Sequence, residues 1–164
     1  MDEPVAEPGS SFAQPELTGV QEVLQQTGQT LGLSRWHVVD QSMINAFGLL
    51  TGDPQWIHTD PERAAHGPFG ACVAHGLLTL SLAGGLLFHE AIKIKARMGV
   101  NYGNDKVRYP APLPVGSRIQ GVATLVFAQA IEGNGVQMVV RMTVQAQAIS
   151  KPVCVADFVI RLYF

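Results

Sequence analysis

The chain has 164 residues, of which 47% are hydrophobic and 15% charged, with a net charge of -2. That length suits one domain with a sizeable core and is too short for two comfortable ones. The near-neutral balance, with no basic block, excludes an electrostatic footprint for nucleic acid or for an anionic membrane surface.

Residues 1–14 are rich in Pro, Gly, Ser and acid and read as a disordered leader. With no basic stretch followed by an apolar run, they do not read as an ordinary signal peptide, so the expected address is cytoplasmic. Pro15 suits a helix first turn, and Leu17, Val20, Val23 and Leu24 follow at helical spacing up to Gly28. Trp36 to Val39 is a short strand candidate. Asp40 is placed to cap a helix whose apolar positions Met43, Ile44, Phe47 and Leu50 share a face, and which stops at Gly52. A second, short capped helix is predicted at Asp60-Pro61-Glu62-Arg63-Ala64.

Residues 70–88 contain no Asp, Glu, Lys or Arg, close to the roughly 20 residues that cross a bilayer. His75, several glycines and the loop at the start of the run favour a buried central helix, predicted over 76–94. Beyond it come four segments rich in Val, Ile, Thr and aromatics, at 97–109, 117–131, 137–149 and 153–163. Pro/Gly turns separate them, and Asn134-Gly135 is a hairpin signal. Helices first and an antiparallel meander after give an α+β layer fold. Cys72 and Cys154 are far apart and form no CxxC, so two buried thiols in a reducing compartment are expected.

The chemistry concentrates in Thr51-Gly52-Asp53-Pro54-Gln55-Trp56-Ile57-His58-Thr59-Asp60-Pro61 and in Ala74-His75-Gly76. A carboxylate and an imidazole on one irregular loop can act as an acid/base pair. A glycine opening a helix has an amide outside the intrahelical ladder, at the positive end of the helix dipole, where an oxyanion would be stabilised. Each residue also has an ordinary use: Asp53 as a turn residue, His58 as a packed imidazole, Gly76 as a tight fit at a helix head. His37, His66 and His89 have no carboxylate or thiolate at metal-ligand spacing, so no metal site is expected. Neither a dinucleotide loop nor a GxSxG elbow is present.

From about residue 23 onward the chain resembles the MaoC-like (R)-specific enoyl-CoA hydratases of the hot-dog fold, close to the nodulation protein N-like subgroup. The resemblance is carried by Gly52-Asp53, His58-Thr59-Asp60-Pro61, Gly67-Pro68-Phe69-Gly70, Ala74-His75-Gly76, and the block from Asn101 to Ser117. It implies a long central helix wrapped by a curled antiparallel β-sheet, a homodimer, an acyl-CoA thioester substrate and no cofactor. It also implies a catalytic pair at Asp53 and His58, a carbonyl-binding amide at Gly76 and an active-site hydroxyl at Ser81; a serine bonded to its own helix is the alternative use of Ser81. The commoner family turn is Asp-x-Asn-Pro-aliphatic-His, and here Pro54-Gln55-Trp56 replaces its middle while the Asp-to-His spacing is kept. The expected reaction is hydration of a trans-2-enoyl thioester or its reverse. A hot-dog thioesterase and a non-catalytic acyl-thioester binder are the competing readings. Lys93, Lys95, Arg97, Lys106, Arg108 and Arg118 are candidate cations for the CoA phosphates or a solvated rim.

Overall fold

The computed structural model describes residues 14–164, so the expected leader lies outside the described residues except for Gln14. In chain order the elements are β1 (Glu16–Leu17), α1 (Val20–Gln25), β2 (Thr30–Leu33), β3 (His37–Val38), α2 (Gln41–Thr51), α3 (Trp56–Thr59) and α4 (Pro61–Ala65). A helix then starts as α5 (Gly76–Leu82), passes through a π-helical stretch (Ala83–Leu87) and finishes as α6 (Phe88–Ala91). After β4 (Lys93–Ile94) come the long strands β5 (Met98–Arg108), β6 (Arg118–Ile131), β7 (Gly135–Ala146) and β8 (Cys154–Tyr163).

The main sheet runs β2-β6-β7-β8-β5, with β3 also on β6, and its pairings are antiparallel. Alternation along β7 is almost perfect, with Val136, Met138, Val140, Met142 and Val144 fully buried on one face. That face receives the helix: α5 packs on β8, the π stretch on β7 and β6, and α6 on β6 and β2. The core between the two layers holds Ala83, Leu87, Phe88, Leu31, Ile119, Leu125, Phe158 and Ile160. Each large side chain buried there contributes about 1.5–3 kcal/mol. Glycine at position 84 is required, because a methyl there would collide with the Phe158 ring. The sheet curls around the helix without closing into a barrel, and both ends remain edges.

Several expectations need correction. The first helix starts only at Val20, because Glu16–Leu17 is drawn into a parallel pairing with Lys93–Ile94. The same pairing ends the central helix: Ile92 is already extended, so the helix stops at Ala91 rather than 94. Leu50 does not share the buried face of α2; it is 84% exposed, as Leu49 is at 86%. His37 does have a carboxylate partner, since its Nε2 lies 2.8 Å from Glu90 Oε2. Both cysteines are free and buried. Among the described residues no helix is long and apolar enough to cross a membrane.

Candidate active site

Local chemistry delivers Asp53 to its place. The Asp40 carboxylate caps α2 by accepting from the Met43 amide at 2.9 Å. The helix ends where Gly52 turns left-handed at φ 71°, a conformation glycine adopts without steric cost. The Asp53 amide then folds back to Gly48 O at 3.0 Å, leaving the carboxylate 57% exposed. Gly48 lets this loop approach α2, since a methyl there would meet Asp53 O at 3.0 Å.

Pro54 prevents the helix from continuing, and one new turn, α3, swings His58 inward until it is only 8% exposed. The Gln41 side chain holds that turn by donating to His58 O at 2.7 Å. His58 Nδ1 donates to Val73 O at 2.6 Å, and the Val73 amide donates to Ile57 O at 3.0 Å. This exchange fixes the imidazole tautomer and leaves Nε2 as the nitrogen without a proton in the neutral ring.

The segment entering α5 is clamped from the far side by the proline-rich turn after β5. Ala74 N–H donates to Leu113 O and Val115 N–H to Cys72 O, both at 2.8 Å. His75 caps α5 in extended conformation, so Gly76 is the first helical residue. Among the described residues the Gly76 amide enters no hydrogen bond. The Tyr109 ring lies beside it, 3.0 Å from where a Cβ on residue 76 would sit. Burial pushes the Tyr109 phenol above its ordinary pKa, so it stays protonated.

His75 does more than fill space. Its ring stacks on His58 with centroids 3.7 Å apart and planes 27° apart. Its Nε2 donates to Asp53 O at 2.9 Å and lies 4.0 Å from Asp53 Oδ2. A ring nitrogen of each histidine and a carboxylate oxygen of Asp53 all lie within 4.8 Å of one another. Such a trio could in principle ligate a cation. Near-parallel stacked rings, however, aim their in-plane lone pairs alongside each other rather than at one point, and two of the nitrogens already donate to carbonyls. A gap of this size instead suits one water, bridging by two hydrogen bonds of about 2.8 Å each.

Of the four residues singled out in the sequence, Asp53, His58 and Gly76 thus gather around the turn from α2 to α5. Ser81 is exposed on α5, with its hydroxyl donating to Leu77 O at 2.8 Å. Gly48 and Val73 belong to none of the motifs, although a glycine inside a helix is itself a sign of close approach.

Comparison with known proteins adds an independent finding. A family model described as a MaoC like domain matches residues 22–148. A 3-hydroxyacyl-thioester dehydratase Z of Mycobacterium tuberculosis is 44% identical over 135 residues, spanning 82% of this chain and 89% of that protein. Nodulation protein N of Rhizobium meliloti is 40% identical over 134 residues, spanning 80% and 83%. Among solved structures, an (R)-hydratase from A. caviae involved in PHA biosynthesis superposes with a TM-score of 0.67 at 19% identity, covering 82% of this chain and 94% of that one. A monoamine oxidase regulatory protein from Archaeoglobus fulgius gives 0.76 at 22% identity, over 93% and 99%. At such identities the structural likeness speaks for the hot-dog fold.

Proposed function

The chain belongs to the MaoC-like dehydratase family, and we propose that it adds water reversibly across trans-2-enoyl-CoA to give the (R)-3-hydroxyacyl thioester. The observation that carries this reading is His58, whose Nδ1 is committed to Val73 O while a ring nitrogen lies within 4.8 Å of an Asp53 carboxylate oxygen, close in the chain to the Gly76 amide.

In this mechanism one water bridges Asp53 and His58. His58 Nε2 accepts a proton from it as the oxygen bonds to C3, and the Asp53 carboxylate holds the second hydrogen and the orientation. The alkene electrons move through C2 onto the thioester oxygen, where the Gly76 N–H and the α5 dipole stabilise the enolate. The imidazolium then returns its proton to C2 on the same face. Atoms and charge balance, and no cofactor is needed. Ser81 takes part as a contact for the acyl chain or the water once its hydroxyl turns from Leu77 O.

The protein would work as a homodimer. β5 is an edge strand exposed along most of its length, and α5 shows Leu77 at 61% exposure, so a second copy has both an edge and an apolar face to cover. The buried free thiols agree with a reducing, cytoplasmic setting.

The test is hydration of crotonyl-CoA, followed by loss of enoyl absorbance and chiral analysis of the product. Asp53→Asn and His58→Gln should each lower the rate by about 10²-fold or more. Unchanged rates in both variants sink the assignment. Release of free CoA, read with a thiol reagent, would point to a thioesterase instead. Light scattering at micromolar concentration should give twice the chain mass.

A further inference from the structure

We propose that His75 is a positioning residue, whose imidazole holds Asp53 by its backbone and His58 by its ring face, keeping both in register with the Gly76 amide. The inference rests on the reading of Asp53 and His58 as the reacting pair.

Three contacts made by one side chain carry it. The Nε2–H bond to Asp53 O, at 2.9 Å, grips the loop at the residue that bears the carboxylate. The 3.7 Å stack on His58 covers one face of that ring, so the imidazole can turn only within its own plane, where the Val73 bond fixes it. The third contact is with Phe47, whose ring packs 5.2 Å away at a 52° tilt and, with Gly48, backs His75 against α2. Because His75 is also the residue before Gly76, any shift of its ring moves with the helix head.

The remaining nitrogen identifies what this arrangement is for. His75 Nδ1 is buried and has no hydrogen-bond partner among the described residues. An unsatisfied buried polar atom is a cost to stability. A residue kept only for packing would do better as an aromatic hydrocarbon. Phe at this position would keep an aromatic ring and remove the orphaned nitrogen, while losing the bond to Asp53 O.

Stability and activity should therefore separate in His75→Phe. Its melting temperature should match or exceed that of the wild type, while kcat for enoyl-thioester hydration falls by about 10²-fold with KM within about threefold. His75→Gln retains an N–H near the position of Nε2 and should recover at least about tenfold of that loss. Hydrogen exchange of the backbone over 52–59 gives a readout that needs no substrate: it should speed up about tenfold in His75→Phe and stay near the wild type in His75→Gln, with β7 unchanged in both.

Unaltered kcat and local exchange in His75→Phe overturn the proposal. So does a fall in melting temperature with exchange rising across β7 as well, which marks a merely structural residue. If His75→Phe does not fold, His75→Asn takes its place, one methylene too short to reach Asp53 O, and equal behaviour of the Asn and Gln variants overturns it. Wild-type protein inactive on enoyl thioesters, with exchange over 52–59 responding as described, removes the hydratase reading and leaves the positioning role standing.

Discussion

Replacing Gly48 by alanine tests how tightly the α2 helix and the Asp53 turn must approach. The new methyl would lie 3.0 Å from Asp53 O and 3.4 Å from His75 Cε1. The first atom is backbone, already tied by the His75 bond, and cannot swing aside. Relieving such a contact costs about 1–3 kcal/mol, whereas exchanging glycine for alanine inside a helix returns about 1 kcal/mol. The net expectation is a destabilisation of about 0–2 kcal/mol. Gly85→Ala is the control, because a methyl there meets nothing within 4 Å and keeps whatever the exchange returns, up to about 1 kcal/mol. The two variants should differ by about 1–3 kcal/mol, or about 2–12 °C in melting temperature for a domain of this size. Hydration of crotonyl-CoA should fall about tenfold in Gly48→Ala, since moving Asp53 O moves the carboxylate with it. If Gly48→Ala melts with Gly85→Ala and keeps its rate, the close-approach argument is wrong.

Gly76→Ala should fold, because the Tyr109 ring is 40% exposed and can yield to the added methyl, but its hydration rate should drop about tenfold or more as the methyl keeps the thioester oxygen from closing on the residue 76 amide, which alanine retains; a fully active variant would show that close approach at residue 76 is not needed. The Glu90 carboxylate, bridged to the Arg35 guanidinium at 2.6 Å and to His37 Nε2 at 2.8 Å, is held down to a pKa of about 2, chiefly by Arg35. Its folded pKa lies below the unfolded value of about 4.3, so the stabilisation is complete above that pH and is lost as the pH falls toward 2. Allowing for screening at the exposed Arg35, it amounts to about 1–2 kcal/mol. Urea melts at neutral pH and at pH 2.5 should show that much less acid sensitivity in Glu90→Gln than in the wild type; equal sensitivity would refute the linkage.

Elements whose signals are local were legible in the sequence. Asp40 and Asp60 cap the helices they precede, and Gly52 ends α2, because each bond spans only a few residues. The four long strands follow from runs rich in Val, Ile, Thr and aromatics set off by Pro/Gly turns, and the hairpin between β6 and β7 follows from left-handed backbone at Gly133 and Asn134. What escaped was decided at a distance. No periodicity in Glu16–Leu17 announces a partner at Lys93–Ile94. Glu90 meets Arg35 and His37 only after the sheet brings the end of α6 beside β3. Around the candidate site, the spacing of Asp53 and His58 and the glycine at a helix head could be read from residue types. The single helical turn that buries His58 could not, nor could the stack that lays His75 upon it, since both depend on the Val73 segment arriving from elsewhere. Leu50 departs for the opposite reason: its spacing matches the buried face, but among the described residues no element covers it.

The clamp between Cys72–Ala74 and Leu113–Val115 couples chemistry to the order of folding. Both bonds join the helical half of the chain to a turn reached only after β5 is complete. Closing so long a loop carries an entropic penalty that neighbouring contacts alone do not offset. A chain emerging during synthesis would hold Asp53, His58 and Gly76 before the proline turn that braces residues 72–74 has formed. The brace at the entrance to α5 would therefore be among the later contacts to form, supplied by a proline turn about forty residues further along the chain.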